Sequence, residues 1–501
     1  MWIEKEIQKD ADSIQKTIEH LSRDYKAQLP RTIVSRIPVI HNDDVNDFIT
    51  TFYHRLRNAE YELYKMSCSS EPNGGGGGDG DITMNLPYKI TEINNSANDL
   101  PHPRILSELQ RSYDIRRHHS GSGSDGGEDD RYIPYKVYQY IREKSELCIQ
   151  FQTTIQRRAI TLYFITFPES HISVVCSKSA SSLSSSSLSS MSSSAQCSLE
   201  IATYQQYAYK VFAWLSIVTS MSDKDCSEKS LNVYFYMTPF KKQRPARGAS
   251  GDDAILSAIH VNTGLTRNCE THGEIVVYRT EEWFKVFVHE SMHNFNMDFI
   301  DQDLRAANTQ LRRTFCIPHE DVLVFETYTE TWARIINTMF HTYFHDNDND
   351  HVTQKHFIRT VREKIAHNAM FYAYQIVKVL EIMKLKYGNI TIQSTENTEI
   401  CRRRYAEETN VYAYYILGGI LSIYAIPFIS WCCENNRGAG GRIAAIRFSR
   451  QPGTLPKLMD FISHMARDPV ILSMIAFIEK AHNGAGAGTT TATKTMRMTM
   501  D

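Results

Sequence analysis

The chain has 501 residues and a formal net charge of −2. That length accommodates two to four domains, each with a core of its own. The near-neutral charge excludes the strong basic field that nucleic acid or an anionic lipid surface requires, so no nucleic-acid partner is expected.

The N-terminus, MWIEKEIQKDADSIQ, is charged from its third residue and lacks an apolar run. It reads as neither a signal peptide nor an Arg-rich transit peptide, so an intracellular, cytosol-like location is expected. The ten cysteines contain no CxxC pair and are expected as reduced thiols in such a compartment.

Residues 1–66 read as helices; DVNDFITTFYHRLRNAEYELYKM, for example, carries apolar residues at helical spacing. Four low-complexity stretches follow along the chain: GGGGGDGD (74–81), SGSGSDGGEDD (120–130), SASSLSSSSLSSMSSSA (179–195) and GAGAGTTTATKT (484–495). Each offers too little apolar surface to offset its ordering entropy, so three mobile loops and a disordered tail over 484–501 are expected. LCIQFQTTIQRRAITLYFITF (147–167) has the alternation of a β-hairpin around polar QRR. YQQYAYKVFAWLSIVTSM (204–221) reads as a helix, and LNVYFYMTP and GEIVVYR (273–279) read as strands.

From about residue 281 nearly every segment has the helical period. Strands first and helices later indicate an α+β fold, predominantly helical, with a small sheet before the helix near 289 and a helical C-terminal domain. The expected division is a mixed N-terminal region (1–170), a site-bearing domain (197–347), a helical domain (352–483) and the tail. Within the helical domain, VYAYYILGGILSIYAIPFISWCC (411–433) carries no charge and is long enough to span a bilayer. Its four tyrosines, Gly-Gly pair and proline favour a buried helix over a membrane span.

The chemistry concentrates in VFVHESMHNF (286–295). On a helix, Phe284, Val288, Met292, Phe295 and Phe299 form an apolar stripe, and His289 and His293 sit about 40° apart beside it. This HExxH spacing lets two imidazoles converge on one tetrahedral zinc ion, while Glu290 reaches a zinc-held water but not the metal. The five letters also arise by chance, but no charged or proline residue interrupts the core face here. A third ligand must come from elsewhere. DVLVFETYTETWARIINTMF (321–340) reads as a second amphipathic helix, with Glu326 and Glu330 at i,i+4 on the border of its apolar arc. A carboxylate there is costly unless it is paired or metal-bound, the plain alternative being a solvated acidic face. His341 and His345 share the i,i+4 spacing but lack a glutamate and read as a helix end.

HExxH on one helix followed by ExxxE on the next resembles the gluzincin metallopeptidases, the thermolysin and neprilysin group. The resemblance implies a zinc peptidase acting on a peptide or protein substrate, with Glu290 as general base and His289, His293 and Glu326 as metal ligands. Glu330 would then accept a hydrogen bond from one of the ligand histidines. It further implies that GEIVVYR is an edge strand that pairs with extended substrate. The wider block around both motifs resembles an uncharacterised protein group of large DNA viruses. Phe325 stands where the clan has an asparagine. Tyr412, Tyr414, Tyr415, His367 and Tyr374 all remain open for the group that stabilises an oxyanion. Those departures leave two alternatives: a non-catalytic virion or host-interaction protein that keeps the fold, and a zinc hydrolase of a non-peptide amide.

Overall fold

Residues 147–165 form the expected hairpin. Strands β2 (Leu147–Ile155) and β3 (Arg158–Ile165) pair antiparallel, after β1 (Tyr88–Glu92) has paired with the other side of β2. The chain reverses at Gln156 and Arg157, whose φ values of 47° and 70° are those of a two-residue type I′ turn, the turn that matches strand twist. The computed structural model describes residues 2–28, 43–68, 86–93, 100–108, 132–168, 191–245, 255–317, 321–345, 352–436, 441–484 and 491–500. The stretches 74–81 and 120–130, and the serine run up to 190, lie outside the described residues.

Two long helices, α1 (Trp2–Gln28) and α2 (Asp43–Cys68), open the chain as expected. Helix α3 (Met191–Thr219) begins inside the predicted serine loop, so its last five residues are helical rather than loop. This helix is the crossover that parallel pairing of β3 with β4 (Ser230–Tyr236) requires. Strands β5 (Gly264–Thr266) and β6 (His272–Val277) complete a mixed six-stranded sheet in the order β1-β2-β3-β4-β6-β5. The GEIVVYR strand is therefore internal, flanked by β4 and β5, and the expectation of an edge strand there is corrected. The edge belongs to β5, whose three residues are too few to show a period-2 pattern.

Alternation across the pleat divides the sheet residues between two faces. Phe164, Phe235, Ile275 and Val277 join the main core beneath α3 and helix α4 (Trp283–Asn294), where Trp283 packs edge-on against Phe164 and Phe235. Tyr234, Tyr236, Val276 and Tyr278 face a second cluster with Val137 and Ile141 of helix 135–144. Helices α5 (Val324–His345) and α6 (Gln354–Ile382) follow. The main cluster holds Trp332 of α5, Ile376 of α6 and Ile420 together. The apolar core thus runs through the expected boundary near 350. The class is as predicted, α+β and mainly helical.

Residues 411–433 are mostly buried, as expected, but not as one helix. A π-helical segment (Tyr412–Leu417) leads into α7 (Gly418–Ile423), and α8 (Ala425–Asn435) leaves at 89°. Pro427 has no N–H to give to the Ile423 carbonyl and its ring clashes with it, so the helix breaks between them. Among the described residues no single helix is long and apolar enough to cross a membrane.

Two further expectations are corrected. Cys226 and Cys269 form a disulfide joining the segment before β4 to the β5–β6 connection, so these thiols are not free. Their Cα atoms stand 4.2 Å apart because β4 and β6 run side by side from those points. The tail is also ordered over 491–500: Met496, Arg497, Met498, Thr499 and Met500 are all buried. Alternating Met with polar residues gives this segment a core-facing side, and Lys378, Gln375 and Tyr415 satisfy its carbonyls.

Candidate metal centre

Every residue of α4 is buried, which explains why its amphipathic stripe was legible but narrow. The helix stops at Phe295, four residues before the predicted stripe ends. Asn296 adopts φ 56°, its N–H bonds the His293 carbonyl at 3.0 Å, and the Met297 N–H bonds the Met292 carbonyl at 2.9 Å. That left-handed cap turns the chain back on itself. Asp298, five residues past His293, consequently folds under the helix end and meets His293 Nδ1.

The structure brings together the three metal ligands expected from the sequence. His289 Nε2 and His293 Nε2 are 3.1 Å apart, and one Glu326 oxygen lies 3.1 Å from the former and 3.3 Å from the latter. A tetrahedral ion with donors at about 2.0–2.1 Å has edges of about 3.3 Å, so the spacing fits. His289, His293 and Glu326 therefore form a group that can hold a metal ion.

Each histidine has a carboxylate behind it. Asp298 Oδ2 takes the His293 Nδ1–H, and Asp298 is itself held by the Ile300 N–H (3.0 Å) and Thr329 Oγ1 (3.2 Å). Glu330 Oε2 lies 3.1 Å from His289 Nδ1, although off the line of a straight hydrogen bond. Glu330 thus faces His289 alone, and Asp298, which sequence reasoning missed, serves His293. Its signal was an acid shortly after a helix-stopping Asn.

With both Nδ1 atoms turned to carboxylates, the two Nε2 atoms and an anionic oxygen point at one another. That arrangement needs positive charge between them. The electrostatic surroundings act in the same direction. Burial disfavours the charged imidazoles, yet Glu326 and Asp298 outweigh it and raise His293 well above its ordinary range, and His289 is raised by Glu326 and Glu330. Burial works against the Glu326 carboxylate too, and the two histidines overcome it and hold it low.

Glu330 is anchored by two buried cations unseen in the sequence reading. Lys285 Nζ touches both its oxygens (2.8 and 2.9 Å), and Arg334 Nε lies 3.0 Å away. Burial alone would raise this carboxyl; Lys285 and Arg334 hold it well below the usual range.

Glu290 makes no hydrogen bond or ion pair among the described residues and lines a cavity of about 600 Å³ with the three metal-site residues. Burial raises its carboxyl, opposed by His289 and His293. Edge strand β5 borders the same cavity through Gly264, Leu265 and Thr266. Gly264 packs so closely that a Cβ would fall 2.7 Å from Val286 Cγ1 and 2.9 Å from Glu290 Cγ.

Of the five residues open for oxyanion stabilisation, Tyr414 alone lines the cavity, its ring 5.9 Å from that of His289. Tyr415 bonds the Met496 carbonyl, Tyr412 packs on Phe315 and Tyr405, and Tyr374 lies against His482. The wide turns of the π-helix present Tyr414 to the cavity between two inward-facing tyrosines. His341 and His345 stack on one another at the end of α5, as a helix-end pair.

The chain matches no protein-family model, no curated protein and no solved structure.

Proposed function

We propose that the protein is a zinc-dependent peptidase built on the gluzincin plan, with His289, His293 and Glu326 as metal ligands and Glu290 as general base. The observation that carries this reading is the convergence of two imidazole nitrogens and one carboxylate oxygen at tetrahedral spacing beside an unpaired carboxylate. Two imidazoles and one carboxylate suit zinc, and a bound zinc ion supplies Lewis acidity and lowers the pKa of a coordinated water toward about 7. Glu290 takes the proton from the attacking water and passes it to the leaving amine; its raised affinity for a proton suits both halves of that task. The Tyr414 phenol, facing the same cavity, donates to the oxygen that gains charge. The outer edge of β5, which pairs with no strand among the described residues, offers backbone groups to an extended peptide, which would add as a further strand.

The test pairs a peptide-library cleavage profile with metal analysis, on wild type and Glu290→Gln together. Both proteins should carry about one zinc, and the variant should lose three orders of magnitude in turnover, about 4 kcal/mol of barrier. Zinc-loaded wild type that cleaves nothing would favour the non-catalytic reading. A Glu290→Gln variant as active as wild type would remove the mechanism, and cleavage confined to non-peptide amides would reassign the substrate.

A further inference from the structure

We propose that the C-terminal segment 496–500 is a wall of the substrate site, and that Met498 sets the size of the side chain accepted next to the scissile bond. The proposal rests on the peptidase reading above. Lys285 and Val286, one turn before His289 on α4, line the cavity together with Met498 and Lys242. The cavity therefore reaches from the metal ligands to the first turn of α4 and to Met498. Met498 Sδ lies 3.5 Å from Lys285 Nζ, the cation that holds Glu330 behind His289.

This wall is fixed. One oxygen of Glu282 accepts the Met498 N–H (2.8 Å), the Thr499 N–H (2.6 Å) and the Thr499 hydroxyl (2.7 Å). Gln375 holds the Arg497 carbonyl at 2.5 Å, Tyr415 holds that of Met496, and the Met496 N–H bonds the Lys242 carbonyl at 3.0 Å. Met498 is thus clamped on both sides along the backbone, and its thioether is what varies in reach.

The wall is also closed to charge. Lys242 is paired with Glu282 at 2.9 Å and Lys285 with Glu330, and all four side chains are almost fully buried. A charged substrate group entering there would have to break a buried pair, at large cost. Val286, Met498 and the lysine stems remain as the available surface. The side chain that fits is uncharged and apolar, with its length limited by Met498.

Zinc-loaded full-length protein titrated with three hydroxamate-tipped dipeptide mimics, bearing methyl, isobutyl or benzyl side chains, reads this wall without turnover. A methylene in an apolar pocket discriminates by roughly 10- to 200-fold. Met498→Ala should therefore improve benzyl relative to methyl by tenfold or more. Met498→Trp should weaken isobutyl and benzyl by tenfold or more while sparing methyl, and Met498→Leu should keep the wild-type order. An unchanged order in Met498→Ala and Met498→Trp at wild-type zinc content would overturn the proposal, as would a wild type that binds none of the three. If the expected shifts appear but no peptide is cleaved, the wall stands and the peptidase reading falls.

Discussion

Asp298→Ala removes the acceptor that fixes His293, and its effect divides into two measurable parts. The carboxylate is fully buried and accepts from His293 Nδ1, the Ile300 N–H and Thr329 Oγ1. Without it, the His293 ring loses the partner that orients it and that, on the proposed zinc reading, keeps its proton on Nδ1 and its Nε2 lone pair available to the ion. Loss of such a supporting partner costs about 10–100-fold in metal affinity, or about 1.4–2.7 kcal/mol. The metal-free protein should also lose about 1–3 kcal/mol, because buried donors are left unpaired. Competition against a chromophoric chelator measures the first quantity, and urea denaturation of the metal-free protein the second. Asp298→Asn keeps the shape but not the charge, and should fall between wild type and alanine in affinity. Asp298→Ala affinity within twofold of wild type, with His293→Ala losing the metal, would refute the reasoning. Packing against the Phe325 ring, 5.9 Å away and nearly perpendicular, would then be what orients His293.

Glu330→Gln strands Lys285 and Arg334 in the core without their shared carboxylate and should destabilise the fold by about 3–5 kcal/mol; a loss below 1 kcal/mol in urea denaturation would mean that water reaches the pair. If the proposed peptidase reading holds, Gly264→Ala should leave zinc content unchanged while lowering kcat/KM about 100-fold, since the added methyl displaces the Glu290 side chain; wild-type turnover would show that β5 yields instead. Burial lowers Lys378 to about 7, where it holds the carbonyls of Ala492 and Thr495. The unfolded chain keeps that proton up to about pH 10.5, so it binds more protons than the folded one between pH 7 and 10.5, and this group's contribution to stability rises with pH there. Lys378→Met should flatten that rise in a series of denaturation midpoints, and an unaltered pH slope would assign it to other groups.

The sequence by itself determined whatever depends on local period. Four residues make slightly more than one helical turn, so HExxH brings His289 and His293 to one side of any helix that forms there, and ExxxE does the same for Glu326 and Glu330. Two-residue alternation likewise located the β2–β3 hairpin, LNVYFYMTP and GEIVVYR were legible as the strands β4 and β6, and the charge-free run at 411–433 was legible as buried. Tertiary structure decided which distant groups complete the site. Asp298 arrives only because Asn296 takes a left-handed conformation and ends the helix early, a choice made by packing rather than by the apolar stripe. The edge strand proved to be Gly264–Thr266, since strand order is set by crossovers and not by the strand's own residues. Tyr414 was singled out from its neighbours by a π-helical turn that a 3.6-residue wheel does not contain. Met498 reaches the cavity from the far end of the chain. Its place depends on Glu282, Gln375 and Tyr415, contacts more than 80 residues away in sequence, and no pattern within 491–500 encodes them.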